Sequence, residues 1–205
     1  MCFIFQKMPK IKVHDRIFRL MIPEKKLLEA IEDVASRLND CYNDGDVPPM
    51  LLCVLNGALP FTAELLRRLH FDCQLQSIKV SSYEGIQSTG HLTTILGPTA
   101  DVKGQRIIIC EDLVDTGITI RQLKKVLLEM GAREVKVCSM LFKPGKFCEQ
   151  LVSEGILSPD ASQEELQPYL PDFYGMEIGD DFIVGFGLDY DELGRGYSDI
   201  YVLDE

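Results

Sequence analysis

No two of the seven cysteines in this 205-residue chain stand as C-x-x-C, so neither a zinc knuckle nor a dithiol redox pair is written into it. Cys53, Cys110 and Cys138 lie inside apolar runs, where a reduced thiol serves as a small hydrophobe. With Cys2, Cys41, Cys73 and Cys148 also unpaired in pattern, a reducing, cytoplasmic compartment is expected. No apolar stretch is long enough to span a membrane. The short apolar N-terminus lacks the length and cleavage pattern of a signal peptide, and Met8 is a second candidate start. Basic residues are short of acidic ones, 21 against 32, for a net charge of −11. That balance argues against nonspecific binding to nucleic acid or anionic membranes. It leaves room for a phosphate ligand, which needs only a local pocket. G-x-G-x-x-G and Gly-Lys-Ser/Thr are both missing, which excludes the dinucleotide fingerprint and the Walker loop. Repeats and low-complexity tracts are missing too. What remains is 46% hydrophobic and 26% charged, an ordinary composition for one globular domain.

Periodicity gives the elements. Residues 11–21 alternate weakly, as an edge strand or extended arm does. Apolar residues at helical spacing (Leu27, Leu28, Ile31, Val34, Ala35, Leu38) predict a helix over 23–42, with Pro23 suited to its first turn. Residues 50–55 form a continuous apolar run and predict a buried strand, followed by an Asn56-Gly57-Ala58 turn and a helix over 59–69. Residues 73–82 alternate as a strand. Residues 84–103 are polar and too long for an ordinary connection, so a functional lid is expected there. A strand over 105–110, a helix over 119–130 closed by Gly131, and a strand over 135–142 come next. Residues 146–170, with acids and two prolines, read as a helical, solvated insertion. Residues 182–186 and 200–203 read as the last strands. Strand–helix alternation through the middle predicts an α/β domain built on a doubly wound, mostly parallel sheet.

The run I107-I-I-C-E-D-L-V-D-T-G-I-T119 holds the densest chemistry. An all-apolar strand ends in Glu111 and Asp112, at the place where open α/β sheets bind ligands. Asp115, Thr116, Gly117, Ile118 and Thr119 then bring hydroxyls and N–H groups to a helix N-terminus, an anion site. Two carboxylates can accept from vicinal sugar hydroxyls and the loop can hold a phosphate, so the residue types fit a phosphorylated sugar. Leu55, Asn56 and Gly57 close a second strand end and offer N–H groups to another anion. Ser82 and Tyr83 open the candidate lid. Lys143 ends a third strand. In D181-F-I-V-G-F-G-L-D-Y-D-E-L-G-R195, Phe182 suits stacking on a flat ring, Ile183 and Val184 suit the core, Asp189 suits a metal and Arg195 a phosphate.

In this order the motifs V-L-N-G, V-S-S-Y, Ser88-Thr89-Gly90, E-D-L-V-D-T-G-I-T, L-F-K and D-F-I-V-G-F-G-L-D-Y-D-E-L-G-R resemble the 6-oxopurine phosphoribosyltransferases, most closely the hypoxanthine and hypoxanthine-guanine ones, from about residue 54 to residue 202. The resemblance implies a type I phosphoribosyltransferase fold, with a core over about 23–143 and a small hood from about 1–22 and 144–205. It implies transfer of a 5-phosphoribosyl group from 5-phosphoribosyl 1-diphosphate to N9 of hypoxanthine or guanine, with Mg²⁺ as cofactor and a dimer or tetramer as assembly. Glu111 and Asp112 would bind ribose hydroxyls, and Asp115 would act as acid/base near purine N7. Thr116, Gly117, Ile118 and Thr119 would wrap the 5′-phosphate. Leu55, Asn56 and Gly57 would form the diphosphate loop, around a cis peptide, with Arg195 also on diphosphate. Lys143 would reach the 6-oxo group, Phe182 would stack on the base and the Ile183 backbone would meet its Watson–Crick edge. Asp189, beside the base, would anchor the metal together with Glu111 and Asp112.

Two departures stand out. Asn56 occupies a position where many members carry Lys, which removes a charge from the diphosphate loop. The 146–170 stretch looks longer than usual and falls in the expected hood. Two other readings retain the 111–119 run: a nucleotide-sensing regulator that binds RNA or DNA, and a xanthine- or pyrimidine-directed transferase. The acidic composition and the Lys143, Phe182, Asp189 and Arg195 set weigh against the first, and Lys143 against a pyrimidine.

Overall fold

Five parallel strands form the body of the main sheet, and helices cover both of its faces. In the computed structural model, which describes residues 9–81, 93–96 and 101–204, these are β3 (Met50–Leu55), β4 (Gln74–Ser81), β6 (Arg106–Val114), β7 (Glu134–Phe142) and β8 (Phe173–Glu177). They lie parallel in a six-stranded sheet of order β5-β4-β3-β6-β7-β8, with β5 (Thr93–Leu96) antiparallel on the β4 edge. Successive residues point to opposite faces. Leu51 and Ile108 meet α1 (Glu24–Tyr42) and α2 (Leu59–Leu66) in one cluster, through Ile31, Val34, Leu38 and Phe61. Leu52, Ile107 and Ile109 meet α3 (Ile118–Glu129) and α4 (Pro144–Ser153) in the other, through Ile120, Leu123, Phe147 and Leu151. The chain is therefore doubly wound. A second sheet, order β1-β2-β10-β9, is antiparallel throughout and packs Val13, Phe18, Val184 and Tyr201 together. Cys53, Cys110 and Cys138 are buried and unpaired, as their apolar setting suggests. No helix among the described residues is long and apolar enough to cross a membrane.

Several boundaries differ from the sequence reading. The arm over 11–21 is a hairpin, β1 (Lys10–Val13) and β2 (Arg16–Ile22), and belongs to the small sheet. The helix expected over 59–69 stops at Leu66. The strand expected over 105–110 runs to Val114, because its two neighbours end at different places. β3 accompanies β6 only to Cys110, whereas β7 stays paired as far as Phe142. Glu111 and Asp112 are therefore within a strand that has lost one neighbour, rather than beyond its end. The strand expected over 182–186 is only Ile183–Val184 (β9), since the backbone turns at Gly185 and Phe186, both at positive φ. β10 (Ile200–Leu203) is where it was expected.

The 146–170 stretch is helical but not simply solvated. Phe147 and Leu151 of α4 are buried in the core, while α5 (Gln163–Leu166), with a Ser162–Glu165 capping box, and the 3₁₀ turn Gln167–Tyr169 stay near the surface. β8, unread in the sequence, follows and pairs with β7. Residues assigned to the hood from sequence thus supply a helix and a strand to the main sheet. The expected lid lies largely outside the described residues, Ser82 and Tyr83 included.

Candidate active site

The C-terminal ends of β3, β6 and β7 converge on one region, and each sends its loop there for a local reason. β3 ends at Leu55, and the Leu55–Asn56 peptide is cis, a form rarely seen without proline. Asn56 is exposed and Gly57 buried. Gly57 is fixed by close approach: a Cβ there would fall on the Asp112 carboxylate, and a Cβ on Gly187 would fall on the Gly57 carbonyl. A backbone stack from Gly187 through Gly57 to Asp112 thus connects the 185–195 segment, the β3 loop and β6.

The two acids of β6 are short of partners. Glu111 Oε2 is enclosed with no hydrogen-bond partner among the described residues. Burial, with the neighbouring Asp112 charge, pushes the Glu111 carboxyl well above its ordinary value. Asp112 Oδ1 accepts the Leu113 N–H at 2.8 Å. Burial nevertheless pushes the Asp112 carboxyl up to about 6; hydrogen bonds from the Leu113 N–H and its own N–H, then the charge of Arg195, offset only part of the desolvation.

Asp115 sits differently. Its Oδ2 lies 3.4 Å from Lys146 Nζ and 3.9 Å from Lys143 Nζ, while Oδ1 is enclosed and without a partner among the described residues. Lys143 is 4% exposed. Its ammonium donates to the Asp181 carbonyl at 2.9 Å. Burial lowers its pKa, an effect the Asp115 charge opposes. After Asp115 and Thr116 the chain enters α3 through Gly117, whose φ of +71° favours glycine. No side chain among the described residues caps that helix, so its first N–H groups are open to a ligand. A Cβ on Gly117 would enter the ring of Phe147, which is 1% exposed and packs edge-on against Phe142.

In the small sheet, Phe182 is 48% exposed, with Phe18 and Tyr190 beside its ring, while Ile183 and Val184 are buried as expected. Asp189 Oδ1 meets Arg195 at 2.7 Å and its Oδ2 accepts the Glu192 N–H at 2.8 Å. Arg195 also donates to the Gly187 carbonyl at 2.8 Å. Glu111, Asp112 and Asp189 do not form a ready-made metal cage: among the described residues no group of three or more His, Cys, Asp or Glu is arranged to hold a metal. Asp189 is engaged by Arg195 and a backbone N–H instead.

Residues 23–190 match the phosphoribosyl transferase domain. The chain belongs to the phosphoribosyltransferase family. It is 35% identical to a hypoxanthine-guanine phosphoribosyltransferase of Lactococcus lactis, with 91% of each chain covered. It is 27% identical to a hypoxanthine-guanine-xanthine phosphoribosyltransferase of Tritrichomonas foetus, over 97% of this chain and 98% of that one. Among solved structures it resembles a hypoxanthine phosphoribosyltransferase of Trypanosoma cruzi in complex with the product IMP, with a TM-score of 0.76, 26% identity and coverage of 95% and 93%. Two residues of this phosphoribosyltransferase escaped the sequence reading. Lys146 reaches Asp115 from the first turn of α4, and the only hint was its K143-x-x-K146 spacing, a one-turn repeat. Phe147 supports Gly117, and nothing local in the sequence marks that contact.

Proposed function

We propose that this chain acts in purine salvage in the cytoplasm, moving the 5-phosphoribosyl group of 5-phosphoribosyl 1-diphosphate onto N9 of hypoxanthine and of guanine to give IMP or GMP and diphosphate. One observation carries the base-directed part. The buried Lys143 spans from the Asp115 carboxylate to the Asp181 carbonyl, next to the exposed ring of Phe182. A single cation thereby joins a sugar-phosphate loop to an aromatic platform. An oxopurine suits that combination: its 6-oxo group accepts from Lys143, its ring stacks on Phe182 and its Watson–Crick edge meets the Ile183 backbone. The names of the relatives support the same base class. A nucleotide-sensing RNA or DNA binder is not favoured, given the net charge of −11.

In this reading Glu111 and Asp112 accept from the ribose hydroxyls. The N–H groups and hydroxyls of Thr116, Gly117, Ile118 and Thr119 hold the 5′-phosphate at the uncapped end of α3. The backbone of Leu55, Asn56 and Gly57 and the guanidinium of Arg195 hold the diphosphate. The bond from C1′ to the diphosphate oxygen breaks as that from C1′ to N9 forms, and the purine proton passes to Asp115. Positive charge builds on the sugar and negative charge on the departing diphosphate, where fixed donors stabilise it. Mg²⁺ fits the donors present, which are hard carboxylate oxygens including Glu111 Oε2, which has no partner among the described residues. This ion takes one or two carboxylates and completes its shell with substrate phosphates and water, so no protein cage is needed. Asp189, Glu111 and Asp112 would supply those carboxylates, and the ion's contribution when bound is to neutralise diphosphate charge.

The deciding measurement is kcat/KM with 5-phosphoribosyl 1-diphosphate and Mg²⁺ for hypoxanthine, guanine, xanthine and uracil. Hypoxanthine and guanine are expected to lead. Uracil as the best acceptor, or tight RNA retention on a filter without turnover of any base, overturns the proposal.

A further inference from the structure

We infer that Lys146 is a positioning residue of the transfer, holding the Asp115 carboxylate by one oxygen so that the other is presented to the base. The inference rests on the function proposed above. Its starting point is the unequal surroundings of the two Asp115 oxygens. Oδ2 has two ammonium groups near it, whereas Oδ1 is enclosed and has no partner among the described residues. An enclosed, unpaired carboxylate oxygen is costly to keep unless something arrives to bond it, and a purine N–H is such a donor.

Of the two cations, Lys146 is the nearer, at 3.4 Å against 3.9 Å. Lys143 has its hydrogen bond directed elsewhere, to the Asp181 carbonyl at 2.9 Å, and in the proposed reaction it is also required at the 6-oxo group. Lys146 is therefore the cation left for Asp115. Its place is set by packing. Lys146 lies in the first turn of α4, and the next residue, Phe147, is wedged between Gly117 and Phe142. The helix cannot slide or rotate without lifting Phe147 from the core, so the ammonium is delivered to the same point. The Lys146 side chain is 38% exposed. Its value therefore lies in direction rather than in ion-pair energy, which is small for a pair so open to solvent.

The test compares Lys146→Met, Lys146→Arg and the control Lys125→Met, which alters an exposed lysine paired with Glu129. Wild type and variants are assayed at saturating 5-phosphoribosyl 1-diphosphate with hypoxanthine. Lys146→Met is expected to lower kcat by about ten- to a hundredfold, the scale of a misplaced reacting group. KM for both substrates should stay within about threefold and Tm should be unchanged. Lys146→Arg should recover most of kcat, and Lys125→Met should match wild type. An unchanged kcat in Lys146→Met, a rise in KM alone, or an arginine variant as poor as the methionine one overturns the inference and leaves the proposed function standing. Wild-type protein that turns over no purine overturns both.

Discussion

Two carboxylate settings lie within one turn of chain at the end of β6, and they are built in opposite ways. At Glu111 and Asp112 no cation among the described residues is hydrogen-bonded to either acid, glycine backbone presses against Asp112, and burial raises both carboxyls. At Asp115 two lysines face one oxygen, and the other has no partner among the described residues. The first setting favours a neutral or shared proton and suits sugar hydroxyls. The second has one oxygen held in place by lysines and suits a directed acceptor. Acids that look alike in sequence are thus differentiated by what packs on them: the tight β3 loop on one side, and α4 with its lysine on the other.

The strongest way to break this comparison is Asp115→Asn. It removes the acceptor while preserving shape, so kcat with hypoxanthine should fall by about a hundred- to ten-thousandfold, with a much smaller change in the Kd for IMP. Similar losses in both would mean that Asp115 only binds. Gly57→Ala comes next. The added methyl meets the Asp112 carboxylate, and a shift on the order of an ångström at the site is expected to cost about a hundredfold in kcat/KM. Wild-type kinetics in that variant would dissolve the stack from Gly187 to Asp112.

Asp112→Asn sharpens the comparison through stability. Burial raises the Asp112 carboxyl from 3.8 to about 6 in the folded chain. Its favourable contribution is whole below about pH 4 and is lost as pH rises past about 6. Ionised Asp112 therefore costs the unliganded fold up to about 3 kcal/mol at pH 8. The asparagine variant should melt several degrees higher than wild type at pH 8, with the difference shrinking toward pH 4. A difference that does not depend on pH would place the cost elsewhere. The smallest effect belongs to the platform. Phe182→Ala should raise KM for hypoxanthine about tenfold, the scale of one base–aromatic stack, while KM for 5-phosphoribosyl 1-diphosphate holds. Equal changes in the two would show that Phe182 supports the small sheet rather than the base.

Much of the fold was legible because its signals are local. The apolar runs of β3, β6 and β7 carry their burial in composition, and α1 shows its inner face in the spacing of Leu27, Ile31, Val34 and Leu38. β8 was missed because F173-Y-G-M-E is short and mixed, and becomes a strand only when β7 offers an edge. The length of β6 was misjudged for a similar reason, since its last residues are held by β7 alone. Within the site, the residues of the 111–119 run, Lys143, Phe182, Asp189 and Arg195 could be picked out by type and position. The pairing of Asp189 with Arg195, and the approach of Lys146 to Asp115, depend on segments that meet only in space.

The sequence by itself determined a doubly wound α/β sheet, because strand and helix periods and dry runs are properties of neighbouring residues. It also marked a candidate sugar-phosphate loop at a strand end, because acids, hydroxyls and a glycine follow one another there. Only the tertiary structure decided that Asp112 and Asp115 have different surroundings, that residues 144–178 furnish part of the main sheet, and that Lys146 belongs with the candidate site. Those outcomes depend on desolvation and on distances between chain segments, which arise from packing and have no one-dimensional pattern to read.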